Sequence, residues 1–133
     1  MPAITWKYAK ELSNKTAIED FEHRNGILFP QDLKDCFKKN NGARPTINIF
    51  DTDVSQERVM GALLSFNKED KDNIYTVFSI LQEENKLLLP FARDPSGNFL
   101  CILNGSVVFW LHETGTYEYV APSFTDFLNK LYV

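Results

Sequence analysis

The chain has 133 residues, 44% of them hydrophobic and 24% charged, with 14 Lys+Arg against 18 Asp+Glu and a formal net charge of −4. That is ordinary globular composition, which excludes collagen-like and disordered classes, and its short apolar runs exclude a spanning helix of about 20 residues. A pI near 5.1 with no basic stripe argues against direct nucleic-acid binding.

Trp6, Ala9 and Leu12 recur at i, i+3, i+6 and predict a first helix. Thr16 followed by Glu19 reads as a capping box opening a second helix that buries Ile18 and Phe21. Gly26 is placed to stop that helix, since glycine adopts the left-handed C′ conformation without strain. Pro30 suits the first turn of the next helix, where its missing N–H costs nothing. Leu33, Cys36, Phe37 and Asn40 carry that helix's amphipathic spacing up to Asn41-Gly42.

Thr46 to Phe50 and Gly61 to Phe66 read as strands joined by the polar connection Asp51 to Arg58. Asp70 or Asp72 is the expected cap of a helix defined by Ile74, Val77, Phe78 and Leu81. From Leu87 the pattern changes to strands and tight turns. Leu87 to Ala92, Phe99 to Leu103, Ser106 to Leu111 and Thr116 to Val120 are the strands. Arg93-Asp94-Pro95-Ser96-Gly97-Asn98, Asn104-Gly105 and Thr114-Gly115 are the turns between them. Ser123 caps a last helix with Phe124, Phe127, Leu128 and Leu131 on its apolar face. The order predicts an α+β fold, with N-terminal helices and a C-terminal helix packed on a mostly antiparallel sheet, and one domain over residues 1–133.

Chemistry-bearing patterns are few. Asp51-Thr52-Asp53-Val54-Ser55 opens like a calcium loop, but Gln56 and Ala62 stand where Gly and a bidentate Glu are required. His23 and His112 are the two histidines, and neither belongs to a metal-ligating spacing. Cys36 and Cys101 read as small core hydrophobes rather than catalytic thiols. Asp94, His112 and Glu113 make an enzyme only if they converge in one pocket. No phosphate-binding or nucleophile-elbow pattern occurs, so no catalytic residue, cofactor or metal ligand is expected.

Charge is unevenly placed: nine acids balance nine bases through Arg58, and beyond it nine acids face five bases. Asp51, Asp53, Glu69, Asp70, Asp72, Glu113 and Glu118 fall in predicted loops and strand ends, where binding residues concentrate. Trp110, His112 and Tyr117 add aromatic and imidazole groups beside them. These residues are the candidate partner-binding set. Without an N-terminal basic and apolar leader pattern, a cytoplasmic location is expected.

Five segments resemble one family in order. Ile18-x-x-Phe21-Glu22, running through Gly26-Ile27 to Phe29-Pro30-x-Asp32, is similar to the opening signature of the SUKH superfamily. Asn41-Gly42 with Pro45 resembles the element that follows it. Pro90-Phe91-Ala92-x-Asp94-x-x-Gly97-Asn98 resembles the family's strand–turn segment. Trp110-x-His112-Glu113 and Ser123-Phe124-x-x-Phe127-Leu128 resemble its last strands and helix. Phe29, Leu33 and Ala43 depart from the usual Leu, Tyr and Gly, exchanges that leave the fold intact.

The resemblance implies a non-enzymatic α+β module that binds protein. Bacterial members of this kind are immunity proteins that cover the active site of a cognate polymorphic or contact-dependent toxin, nucleases among them. Eukaryotic relatives resemble cell-wall-assembly regulators (Smi/Knr-like), so a regulatory interaction module is the alternative. The expected partner is a basic toxin, met by a monomer or weak dimer with no direct nucleic-acid or membrane contact.

Overall fold

The computed structural model describes residues 4–133. The N-terminal arm enters through strand β1 (Trp6–Lys7), not a helix. It pairs antiparallel with β2 (Arg44–Pro45), Trp6 opposite Pro45 and Lys7 opposite Arg44. Helix α1 (Ala17–Asn25) follows, but the capping box does not form. Thr16 donates instead to Asn14 and Asp20, and Glu19 reaches Lys34 and Lys38 of the next helix at 3.2 and 2.9 Å. Gly26 ends α1 at φ 63°, with its N–H and that of Ile27 returning to His23 and Glu22 carbonyls.

Helix α2 (Gln31–Asn40) begins one residue later than expected, with Pro30 extended just outside it. Leu33 and Phe37 are fully buried, while Cys36 is only partly buried against them. Strands β3 (Ile49–Phe50) and β4 (Arg58–Val59) form a small hairpin. The polar connection therefore ends in a strand rather than running through to β5 (Ala62–Leu63). Helix α3 (Ile74–Glu84) is capped by Asn73, whose side chain accepts from Thr76 N–H. Asp70 and Asp72, the expected caps, are engaged elsewhere, by Ser65 and Arg93.

The second half is an antiparallel meander of β6 (Leu89–Arg93), β7 (Phe99–Leu103), β8 (Ser106–Leu111) and β9 (Thr116–Ala121). With β5 it makes a five-stranded sheet in the order β5-β6-β7-β8-β9. Asn104 and Gly105 both take positive φ, 51° and 83°, as a two-residue hairpin turn demands. Helix α4 (Phe124–Lys130) is capped by Ser123, which accepts from Asp126 N–H.

Register divides the sheet residues between two faces. Ala92, Leu100, Phe109 and Glu118 align across one; Arg93, Phe99, Trp110 and Tyr117 align across the other. On the first, Phe109 meets Phe50 edge-on at 5.2 Å, and Phe50 meets Phe127 of α4 at 5.6 Å. Phe91 completes the contact with Phe124 and Phe127. A second aromatic group joins α1, α2 and the segment after β5: Phe21, Phe29, Phe37 and Phe66 lie within 4.9–5.9 Å of one another in successive pairs. Phe78 and Leu128, expected in the core, are only partly buried at its margin. Among the described residues no helix is long and apolar enough to cross a membrane.

Candidate protein-binding surface

The candidate residues separate into two groups by strand order. Asp51, Asp53, Glu113, Tyr117 and Glu118 gather around β9, one edge of the sheet. Glu69, Asp70 and Asp72 occupy the loop after β5, beside the opposite edge. Strands stand about 4.8 Å apart, so the width of the sheet separates the groups.

At the β9 edge the Asp51–Ser55 segment bonds the strand at Tyr119 and Glu118. Asp53 N–H donates to the Tyr119 carbonyl at 2.9 Å, and Tyr119 N–H donates to Asp53 Oδ1 at 3.1 Å. Glu118 Oε1 accepts from Thr52 Oγ1 at 2.7 Å and Ser55 Oγ at 2.6 Å. Arg58 Nε reaches Ser55 Oγ at 3.0 Å while its guanidinium lies over the Phe109 ring. Partial burial pulls the Glu118 carboxyl upward, but the Ser55 and Thr52 hydroxyls and nearby Arg58 outweigh it and hold it below the usual range. Asp51 accepts from Tyr132 Oη at 2.6 Å and from Glu57 N–H at 3.0 Å, and these bonds, the Tyr132 hydroxyl foremost, keep it ionised to lower pH.

The side chains left free on this edge are aromatic and acidic. Tyr117 and Tyr119, two residues apart on one strand, share a face and are 48% and 42% exposed. Glu113 is exposed in the β8–β9 turn. Trp110, expected beside Tyr117 as a contact residue, is only 4% exposed and stacks on Phe99, so it packs the sheet rather than meeting a partner. Tyr119 and Tyr132 were not among the candidates; strand period from Tyr117 points to Tyr119, whereas Tyr132 reaches Asp51 across 81 residues.

The other acids are occupied internally. Glu69 accepts from Ser13 Oγ, Asp70 accepts from Ser65 Oγ and pairs with Lys10, and Asp72 pairs with Arg93 Nε at 2.6 Å. The Ser13 and Ser65 hydroxyls are the leading reasons that Glu69 and Asp70 stay below ordinary carboxylate values.

Asp94, His112 and Glu113 do not form a catalytic group. Both Asp94 oxygens face their own turn: Oδ1 accepts Ser96 and Asn98 N–H, and Oδ2 accepts Asn98 Nδ2. Asn98 Oδ1 in turn accepts His112 N–H at 3.0 Å, tying the turn to the end of β8. The His112 ring lies beside Gly97, which turns at φ 90°. Burial pushes the Cys36 thiol up to about 11 and Cys101 further still, which suppresses thiolate chemistry at neutral pH. Among the described residues no three His, Cys, Asp or Glu side chains gather as a metal site would require.

The family model described as SMI1 / KNR4 family (SUKH-1) matches residues 13–130. The protein belongs to the SUKH-1 family. That family includes toxin immunity proteins and Smi1/Knr4-type regulators. The match runs from the segment before α1 to the last residue of α4, so it takes in both aromatic clusters and the whole five-stranded sheet. No curated protein matches the sequence.

Proposed function

We propose that this SUKH-1 protein is an immunity protein that binds a cognate bacterial toxin and neutralises it by covering its active site. The observation that carries the reading is the β9 edge: two exposed tyrosines with Asp53 bonded at Tyr119 and Glu113 exposed in the turn that leads into the strand. Tyrosine supplies large contact area for little conformational entropy and is enriched among residues that dominate interface energies. The surrounding carboxylates suit a basic toxin, speeding encounter by long-range attraction. With Tyr119's backbone groups taken by Asp53, side-chain recognition is favoured over strand addition at the centre of the edge. The protein acts as one domain in the cytoplasm of the producing cell, without catalysis.

Co-expression with the toxin encoded beside its gene tests this. The expected result is restored growth and a co-purifying complex that excludes substrate from the toxin. Binding to a cellular protein, with no protection against any neighbouring toxin, would support the regulatory module instead.

A further inference from the structure

The opposite edge of the sheet carries a cavity of about 470 Å³ with a different character. Its wall is built from the N-terminal arm, the α2–β2 turn, β5, the following loop and the end of β6. Three cationic side chains line it, Lys10, Arg44 and Arg93, against two carboxylates, Asp70 and Asp72. A positive excess in a protein of net charge −4 is a local departure from the whole.

The cations are not equally engaged. Lys10 sits 3.5 Å from Asp70, a loose pair. Arg93 commits Nε to Asp72. Its Nη1 lies against Gly61, where an added Cβ would stand 2.9 Å from it and 3.0 Å from the Arg93 carbonyl oxygen. A side chain at position 61 would crowd the Arg93 guanidinium where it now lies. Arg44 is exposed and pairs with no carboxylate among the described residues. At the mouth, Tyr8 is 74% exposed and takes φ 63°, a left-handed conformation that a bulky side chain rarely adopts. That bend directly follows β1, and Lys10 N–H then bonds the Asn41 carbonyl, carrying the arm across the opening. Ala62, Leu63 and Gly42 supply the apolar and open part of the lining.

We propose that this cavity binds the carboxylate of a polypeptide, either an acidic side group or the free C-terminus, with Arg44 as its principal partner. A singly charged carboxylate neutralises the excess of one cation. A doubly charged phosphate overshoots it and meets about twice the repulsion from Asp70 and Asp72 that a carboxylate does. The guanidinium fork takes either anion with two parallel hydrogen bonds, so charge balance is what favours the carboxylate. The site is independent of the β9 edge and of the identity of any toxin.

The test is an NMR titration of the full-length protein at constant ionic strength, reading backbone amides and arginine side chains. The probes are N-acetyl-aspartate methylamide for an acidic side group, N-acetyl-alanine for a C-terminus, inorganic phosphate, and sodium chloride as control. Saturable shifts at Gly42, Arg44 and Ser65 with one of the carboxylate probes are expected, and which probe saturates first identifies the source. Arg44→Gln, a neutral replacement at an exposed position, is expected to weaken that binding at least fivefold with an unchanged melting temperature. Arg44→Lys is expected to recover part of it. Linear shifts shared with chloride, phosphate saturating at lower concentration than either carboxylate, or full binding in Arg44→Gln would each overturn the assignment.

Discussion

Asp94→Ala separates a structural carboxylate from a catalytic one. Asp94 is buried and accepts three hydrogen bonds at 2.8, 2.8 and 2.9 Å, from Ser96 N–H, Asn98 N–H and Asn98 Nδ2. Ser96 is exposed, so water replaces the lost acceptor there. Asn98 is buried, and its two donors are left without partners. Each unsatisfied buried donor costs about 1–3 kcal/mol, so the two together cost about 2–6 kcal/mol. Unfolding entropy for 133 residues is about 0.28 kcal/mol/K, so the melting temperature is expected to fall by roughly 7–20 °C. Asp94→Asn keeps an oxygen for both backbone donors and sets one amide against Asn98 Nδ2, an effect of about 1 kcal/mol. Thermal melts followed by circular dichroism read both values. A melting temperature for Asp94→Ala within about 2 °C of the parent would refute the hydrogen-bond account. Selective loss of an activity in a fully folded Asp94→Asn protein would restore a catalytic role.

Phe50→Ala removes a fully buried ring packed against Phe109 and Phe127, and urea unfolding is expected to show a loss of about 3–5 kcal/mol. A midpoint matching the parent would displace Phe50 from the core. Glu118 has a carboxyl lowered in the folded state, so its contribution is present above the unfolded value and lost as pH falls through the folded one. Amide-exchange protection of Ser55, whose N–H donates to the Thr52 hydroxyl held by Glu118, is therefore expected to hold from neutrality to about pH 5 and to weaken below it. In Glu118→Gln, whose remaining oxygen still accepts from Thr52 or Ser55, that acid limb is expected to flatten; a limb parallel to the parent's would assign it to another group.

What the sequence makes legible is what depends on near neighbours along it. The β7–β8 strands follow from Asn104-Gly105 between two apolar runs, and α4 follows from Ser123 and its phenylalanines. The misread start is non-local: Trp6 pairs with Pro45 across 39 positions, and no helical period reveals that. Glu19 fits a capping box by spacing, yet two lysines on α2 draw it away. Asp70 and Asp72 look like caps until Ser65 and Arg93 claim them, leaving Asn73 free to serve. The candidate site follows the same rule. Individual acids are readable, but their division between two sheet edges depends on strand order, and the docking of the Asp51–Ser55 segment on β9 depends on contacts spanning 63 to 66 residues. Glu118, grouped by charge with the surface acids, turns out to anchor the Asp51–Ser55 segment.

Recognition through the β9 edge is tested most directly by titration calorimetry of the toxin against Tyr117→Ala/Tyr119→Ala, both side chains being exposed and dispensable to the core. Lys71→Ala, exposed in the loop beside the opposite edge, is the control. The double variant is expected to weaken binding by about 100-fold or more, as loss of central tyrosine contacts does, with its melting temperature unchanged and Lys71→Ala binding like the parent. Full affinity in a folded Tyr117→Ala/Tyr119→Ala protein would contradict the assignment and move the toxin contact away from β9.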